Sequence, residues 1–172
     1  MITILPAKRY HCGRMARLLR REHESVLRQN GVDIHRELKN NFDNSTWCRA
    51  GFIDGHLVGI GGVMGSEIDR AGFVWLALSE EVRKHTIATA RVLRGLLDEL
   101  MSTHRELATI VIPEDDAALR LAVFMGFHCE DEGPGAPAFS KASRRDLARH
   151  LKQNGDLRIA LGKGTCVAPC RS

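Results

Sequence analysis

The sequence lacks any apolar stretch that could cross a membrane. A transmembrane helix needs about 20 consecutive apolar residues, and charged residues interrupt every candidate stretch in this chain of 172 residues. Residues 1–6 also lack the basic start and the long apolar region of a signal peptide. These absences predict a cytoplasmic protein without a membrane partner, and its hydrophobic content of 44% is that of an ordinary globular chain.

Cysteine is scarce and irregularly placed, at positions 12, 48, 129, 166 and 170. An odd number without paired spacings argues against a disulfide framework and predicts reduced thiols. No second pair accompanies Cys166 and Cys170, so we expect no metal site. A dinucleotide-binding fingerprint is also absent, because Gly59, Gly61 and Gly62 lack the required spacing and no helix follows them. These glycines are more typical of closely packed strands.

Positive charge is concentrated at the C-terminal end. From Lys141 onward the chain has eight Lys or Arg and only two Asp, whereas the net charge of the whole chain is +4. A slightly acidic body with a basic tail argues against a nucleic-acid-binding domain. It predicts a domain at 1–142 followed by a basic contact segment at 143–172.

This C-terminal segment is expected to pack on a second copy of the chain or on an acidic partner. Its apolar run is too short to form a core of its own. The expected contact residues are Leu157, Ile159 and Leu161, with Arg144, Arg145 and Arg149 nearby. Folding back onto the chain's own domain is an equal alternative.

Hydrophobic periodicity predicts alternating strands and helices. Strands are expected at 2–5, 46–53, 56–65, 72–78, 108–112, 127–129 and 138–140, and helices at 10–29, 32–42, 79–100 and 115–125. Asp54 and Gly55 lie between two β-prone runs and predict a tight hairpin. Asp115 or Asp116 can cap the last helix, and Gly126 can end it.

This order predicts an α/β fold whose sheet is mixed and mostly antiparallel. A helix between two β-rich runs implies a right-handed crossover, which makes the strands at 72–78 and 108–112 a central parallel pair flanked by helices. The crevice beyond the ends of such a pair is a favoured ligand site. The strand at 72–78 passes directly into a helix, and a helix N-terminus in this position attracts anions.

Residues 83–88 resemble a motif of the GNAT superfamily, the acetyl-CoA-dependent N-acetyltransferases. Family members have R-G-x-G-x-G/A at the turn between the fourth strand and the third helix. Arg83, the apolar Ile87 and the small Ala88 fit this pattern, whereas Lys84 and Thr86 replace its first two glycines. The added Cβ atoms narrow the approach of a phosphate to the backbone.

Residues 115–127 resemble a second motif of the same family, N-x-x-A-x-x-x-Y-x-x-x-G-F. Ala118, Gly126 and Phe127 match it, whereas Asp115 stands in place of Asn and Ala122 in place of Tyr. The resemblance extends over residues 2–139. With the Gly- and Pro-rich segment that follows, the chain is also similar to the GNAT-like proteins of tailed bacteriophages.

The resemblance implies a GNAT-like fold and an N-acyltransferase that moves an acetyl or other acyl group from acetyl-CoA to an amine that the sequence does not identify. The implied acyl-CoA-binding residues are Leu76, Ala77, Leu78, Arg83, Lys84, His85, Thr86, Ile87, Ala88 and Asp115. The missing glycines and the basic tail favour an alternative, a catalytically degenerate scaffold in a phage virion or its assembly. Its location would be the virion or the host cytoplasm.

Candidate catalytic residues are few. Glu67 and Asp69 follow the third strand and are candidates for the base that removes a proton from the amine. Glu22 and His23 are comparable candidates in the first helical region. The acid that the resemblance implies is missing at Ala122.

Four other chemically distinctive positions are assigned structural roles. Cys48 would be a nucleophile only beside a base, and its place in a β-prone run predicts a core residue. His56 follows the hairpin turn and is expected to be exposed. Trp47 and Trp75 are expected in the core.

Overall fold

The structure is a computed structural model that describes residues 1–29, 31–66, 71–111, 115–129 and 157–162. Its helices are α1 (Arg9–Leu18), α2 (Arg21–Gln29), α3 (Ile34–Asp43), α4 (Thr86–Thr103) and α5 (Asp116–Met125), and a 3₁₀ turn spans Glu80–His85. Its strands are β1 (Ile2–Pro6), β2 (Ser45–Ile53), β3 (His56–Ser66), β4 (Ala71–Leu78), β5 (Glu106–Val111), β6 (His128–Cys129) and β7 (Leu157–Gly162). The strand expected at 138–140 lies outside the described residues.

The strands form one mixed sheet in the order β1-β2-β3-β4-β5-β7-β6. Neighbouring strands are antiparallel, apart from β4 and β5, which are parallel and are joined through α4. The predicted α/β fold with a central parallel pair is therefore confirmed. Across the described ranges, no helix has the length and apolar character that a membrane span requires.

Helices cover both faces of the sheet. One face buries side chains of α1 and α3 against β2, β3 and β4, among them Cys12, Met15, Ile34, Leu38, Ala50, Ile60 and Trp75. The other face buries side chains of α4 and α5 against β3 and β5, among them Leu97, Leu100, Leu119, Met125, Val63 and Leu107. Since burying one large aliphatic side chain contributes about 1.5–3 kcal/mol, these two clusters hold the helices on the sheet. Trp75 is buried as expected, and Trp47 is partly buried beneath the Arg49 guanidinium.

The hairpin between β2 and β3 forms at the predicted Asp54 and Gly55. Both residues have positive φ angles, 48° and 82°, which a two-residue type I′ turn requires. The glycines of β3 then allow its neighbours to approach closely. A Cβ on Gly61 would lie 2.9 Å from the Trp75 carbonyl oxygen, and one on Gly62 would lie 2.7 Å from that of Trp47. The assignment of these glycines to strand packing is confirmed.

The helix expected at 10–29 is interrupted at residues 19 and 20. Leu19 forms an isolated antiparallel bridge with Ser79, and the Arg20 N–H donates to the Leu78 carbonyl oxygen over 3.0 Å. These backbone groups therefore pair with the end of β4 instead of continuing the helix. The expectation of one continuous helix was wrong, because a partner about 60 positions away decided the local conformation.

The helix expected at 79–100 also starts later than its sequence indicates. Residues Glu80–His85 form the 3₁₀ turn, and α4 begins at Thr86, whose hydroxyl donates to the Arg83 carbonyl oxygen. In α5, by contrast, both ends are as predicted. The Asp115 carboxylate accepts from the Ala118 N–H over 2.9 Å, and Gly126 ends the helix with a φ of 96°.

The described part of the C-terminal segment is a strand of the same sheet. Residues Leu157–Gly162 pair along the whole of β5 on one side and with β6 on the other. For this stretch the structure departs from the expectation of a free contact segment and matches the alternative in which the tail folds back. Arg144, Arg145 and Arg149 lie outside the described residues, so their contacts stay a prediction.

Candidate active site

A cleft opens in the middle of the sheet where β4 and β5 separate. Their parallel pairing covers only Ala71 with Glu106, Gly72 with Leu107, and Phe73 with Ala108. Beyond these pairs, β4 continues to Leu78 without β5 beside it. A cavity of about 420 Å³ extends from this point. It is lined by residues of β4 and β5, and also by residues of β1, β2, β3, α2, α3, α4 and α5.

The backbone of β4 presents polar groups to this cleft. The carbonyl oxygens of Trp75 and Ala77 point towards β3, because Cβ atoms built on Gly61 and Gly59 would meet them. Successive residues of a strand point their backbone groups to opposite sides, so those of Leu76 and Leu78 point towards the cleft. The predicted residues Leu76, Ala77 and Leu78 all line the cavity.

A buried ion pair lies across one end of the cleft. Arg20 lines the cavity at the α1–α2 junction, and its Nη2 donates to Asp115 Oδ2 over 3.1 Å. The Arg20 side chain is 10% exposed and that of Asp115 is 3% exposed. The Arg20 backbone N–H donates to Leu78 at the end of β4, and the Asp115 carboxylate caps α5. The Arg20–Asp115 ion pair therefore connects the end of β4 to the helix that follows β5.

His23 also lines the cavity, one turn of helix after Arg20. Burial lowers the pKa of its imidazole below the ordinary 6.5, the nearby Asp115 carboxylate raises that pKa, and the Arg20 guanidinium lowers it further. The imidazole is therefore neutral at pH 7, the form that can accept a proton. His23, one of the base candidates predicted from the sequence, therefore lines the cavity.

The turn before α4 carries positive charges that are already paired. Arg83 forms ion pairs with Glu22 and Glu80, and Lys84 pairs with Glu81 over 2.9 Å. The hydrogen bond from Arg83 and its charge lower the pKa of the Glu22 carboxyl. An anion that binds at this turn must compete with carboxylates of the chain itself.

The other residues of the predicted turn are accessible, and none of them is among the residues that line the cavity. Thr86, Ile87 and Ala88 in the first turn of α4 are exposed, Ile87 to 71%. His85 is half-buried. The exposed first turn of α4 therefore directly precedes Thr89, which lines the cavity, as does the buried Asp115.

Several sequence candidates lie elsewhere. Burial raises the pKa of the Cys48 thiol to about 12, and its Sγ donates to the Gly61 carbonyl oxygen, so it is a protonated structural residue. His56 is exposed at the hairpin, as expected. Ala122 lines the cavity and supplies no proton donor. Glu67 and Asp69 lie outside the described residues and stay predictions.

The sequence analysis missed Arg20, Ser79 and Thr89. Arg20 and Thr89 line the cavity, and Ser79 is buried beside the α1–α2 junction. Little in the sequence distinguishes these three residues as site residues, because each of them lies in a stretch that was assigned to a regular helix. Among the described residues, no group of His, Cys, Asp and Glu side chains is placed to hold a metal ion.

The fold is that of the GNAT acetyltransferases. Solved structures with this fold include an acetyltransferase of the GNAT family from Streptococcus pneumoniae. Its TM-score is 0.55 at 13% identity, and the alignment covers 94% of this chain and 99% of that one. The ribosomal-protein acetyltransferase RimL in complex with coenzyme A has a TM-score of 0.60 at 13% identity, with coverage of 94% and 93%. An IAA acetyltransferase from Bacillus cereus has a TM-score of 0.59 at 14% identity, with coverage of 94% and 99%.

No protein-family model and no curated protein matches the sequence. At these identities the similarity establishes the fold, and the site must indicate the function.

Proposed function

We propose that the chain is a GNAT-type N-acyltransferase that transfers an acetyl or other acyl group from an acyl-CoA to an amine, in the cytoplasm. The observation that carries this proposal is the separation of β4 and β5 after Phe73 and Ala108, with the cavity that opens between them. An extended acyl-thioester arm can enter such a cleft and bond to backbone groups of an unpaired strand edge.

The described residues fit an acyl-CoA in two respects. The backbone of Leu76 offers the donor and acceptor that an amide-containing arm requires, whereas the Leu78 carbonyl oxygen already accepts from the Arg20 N–H. The first turn of α4 is accessible, and its dipole and free N–H groups suit a pyrophosphate. Arg83, Lys84, His85, Thr86, Ile87 and Ala88 are the proposed contacts at this turn, and Asp115 is the proposed contact further in.

His23 is the proposed general base, because its side chain lines the cavity and burial lowers its pKa below 6.5. The acyl-CoA supplies an activated acyl carbon and a thiolate leaving group. Amide formation joins the amine nitrogen to the acyl carbon, breaks the C–S bond, and releases one proton that the imidazole of His23 can accept. The thiolate takes a proton from solvent, since Ala122 offers none. Glu67 and Asp69 remain proposed bases on the segment between β3 and β4.

Calorimetric titration with acetyl-CoA tests the proposal. We expect saturable binding in the micromolar range, weakened about tenfold or more in Arg83→Glu because the substitution places a carboxylate at the anion site. Arg91→Glu makes the same change of charge on the exposed face of α4 and should bind within about twofold of the parent. Absence of binding at millimolar acetyl-CoA would remove the enzyme proposal.

A second candidate function is a catalytically degenerate scaffold in a phage particle or its assembly. The observation that favours it is the pairing of Arg83 and Lys84 with carboxylates of the chain, together with Ala122 in the acid position. The basic segment at 143–172 would then contact a second copy or an assembly partner. Turnover of acetyl-CoA by the purified protein with a panel of primary amines decides against this candidate, and its absence despite binding decides for it.

A further inference from the structure

Three buried side-chain polar atoms in the described part of the chain have no hydrogen-bond partner. They are Arg20 Nε, Ser79 Oγ and Thr89 Oγ1. A buried donor without a partner destabilises the folded state, and native proteins contain few of them. Their presence therefore requires an explanation.

The three atoms belong to one region, although they come from three elements. Arg20 and Thr89 both line the cavity, the first from the α1–α2 junction and the second from the first turns of α4. Ser79 follows β4 directly and is held beside Arg20 by the bridge to Leu19. Arg20 and Ser79 are therefore neighbours at the end of β4, and Thr89 lines the same cavity as Arg20.

The chemistry of the three groups selects the ligand. A guanidinium N–H is only a donor, and both hydroxyls can donate. Asp115 binds one terminal nitrogen of Arg20 and leaves Nε unpaired. A group with several acceptor oxygens and negative charge satisfies all three donors at once.

We propose that Arg20, Ser79 and Thr89 form an oxyanion-binding subsite at the end of β4. The oxyanion is a carboxylate of the acceptor amine, since the pyrophosphate is assigned to the first turn of α4, and this source rests on the proposed function. Arg20 is nine-tenths buried and its Nε is sealed from solvent, so the guanidinium shifts when the oxyanion binds. The attraction of Asp115 for Arg20 opposes this shift.

Two matched pairs of ligands distinguish the sources in calorimetric titrations. The first pair is 4′-phosphopantetheine and pantetheine, which differ by one phosphate. The second pair is N-acetyl-L-leucine and N-acetyl-isopentylamine, which differ by one carboxylate. We expect N-acetyl-L-leucine to bind at least tenfold more tightly than N-acetyl-isopentylamine. A preference confined to the phosphate pair would overturn the assignment of these donors to the acceptor.

Thr89→Val tests one hydroxyl at nearly constant shape. Removing an unpaired buried hydroxyl should leave the melting temperature unchanged or raise it, while affinity for the anionic ligand falls about fivefold to tenfold for one lost hydrogen bond. Thr103→Val is the matched control on the same helix, because the Thr103 hydroxyl already donates to the Leu100 carbonyl oxygen. The control should lower the melting temperature and leave ligand affinity unchanged.

Arg20 is replaced only together with Asp115, so that the Asp115 carboxylate is not left buried without its partner. Asp115→Asn keeps a capping oxygen for α5 and weakens the hold on Arg20, so affinity for the anionic ligand should rise severalfold. Arg20→Met with Asp115→Asn should abolish the preference for the anionic member of the pair, measured as the ratio of the two affinities within the same variant.

Equal binding of both members in both pairs overturns the subsite, as does a preference that survives in the Arg20→Met/Asp115→Asn variant. A loss of melting temperature in Thr89→Val equal to that in Thr103→Val overturns it as well, because the hydroxyl would then be structural. These titrations require no acyl transfer. An oxyanion preference without turnover therefore supports the subsite and counts only against the enzyme proposal.

Discussion

Two arginine–carboxylate pairs hold the α1–α2 region against the rest of the chain, and they differ in burial. The side chains of Arg20 and Asp115 are 10% and 3% exposed, whereas those of Arg83 and Glu22 are 51% and 48% exposed. Both pairs join residues far apart in sequence. The same chemistry is therefore present in two environments within one molecule.

Burial determines what each pair can do. Breaking a buried pair leaves an uncompensated charge in a medium of low polarity, which destabilises a protein by about 3–5 kcal/mol. An exposed pair contributes about 0.2–1 kcal/mol and is screened by salt. The Arg20–Asp115 pair is therefore part of the fold, and the Arg83–Glu22 pair can be displaced by a ligand.

The largest expected effect comes from breaking the buried pair on one side only. Arg20→Met should lower the free energy of unfolding by about 3–5 kcal/mol, because the Asp115 carboxylate stays buried without its partner. Urea denaturation at pH 7 measures this change. Adding Asp115→Asn should recover most of the loss, and a double variant as unstable as the single one would show that the pair is not the cause.

A change of pH should separate the two regions. Burial lowers the folded-state pKa of His23 from 6.5, so its contribution to stability is fully present above pH 6.5 and is lost as the pH falls below that value. Arg83 lowers the pKa of Glu22 from 4.5, so the exposed pair persists until the pH falls below 4.5.

Melting temperatures between pH 8 and pH 5 measure this separation, with His23→Asn as the test variant. His11 is a second buried imidazole with a lowered pKa, and His11→Asn measures its share. The loss of stability on acidification should be smaller in His23→Asn than in the parent. An identical pH profile would exclude His23 as a contributor.

The smallest expected effect on stability comes from the exposed pair. Glu22→Gln should change the free energy of unfolding by less than about 1 kcal/mol, and 1 M NaCl should remove the difference. The same substitution should raise the affinity for acetyl-CoA severalfold, because Arg83 loses one of its two carboxylate partners and keeps Glu80. A decrease in affinity would mean that Glu22 contributes to the site and does not compete with the ligand.

Local rules predicted the features that local contacts determine. Asp54 and Gly55 form the hairpin because both adopt positive φ, and Asp115 and Gly126 lie at the ends of α5 because they satisfy its terminal N–H and C=O groups. The parallel pairing of β4 and β5 also followed from the sequence, since a crossover helix joins them. The position of β7 between β5 and β6 did not.

Features that depend on distant partners could not be predicted in this way. Nothing near Leu19 and Arg20 ends a helix, and the break exists because Leu78 and Ser79 pair with them. Arg20 and Asp115 are 95 positions apart, and no periodic pattern connects them. The apolar run at 157–161 is too short for a core of its own. It forms a strand because it pairs with the edge of β5, a distant partner that the sequence pattern does not indicate.

The position of β7 in the sheet has a consequence for biosynthesis. This strand is synthesised last of those described, yet it lies between β5 and β6. At about 5–20 residues per second, the ribosome needs about 2–9 s to proceed from residue 112 to residue 157. Throughout this interval β5 has an unpaired edge, which is a template for pairing with another chain. The rate of translation through this stretch therefore sets how long each nascent chain is exposed to misassembly with its neighbours.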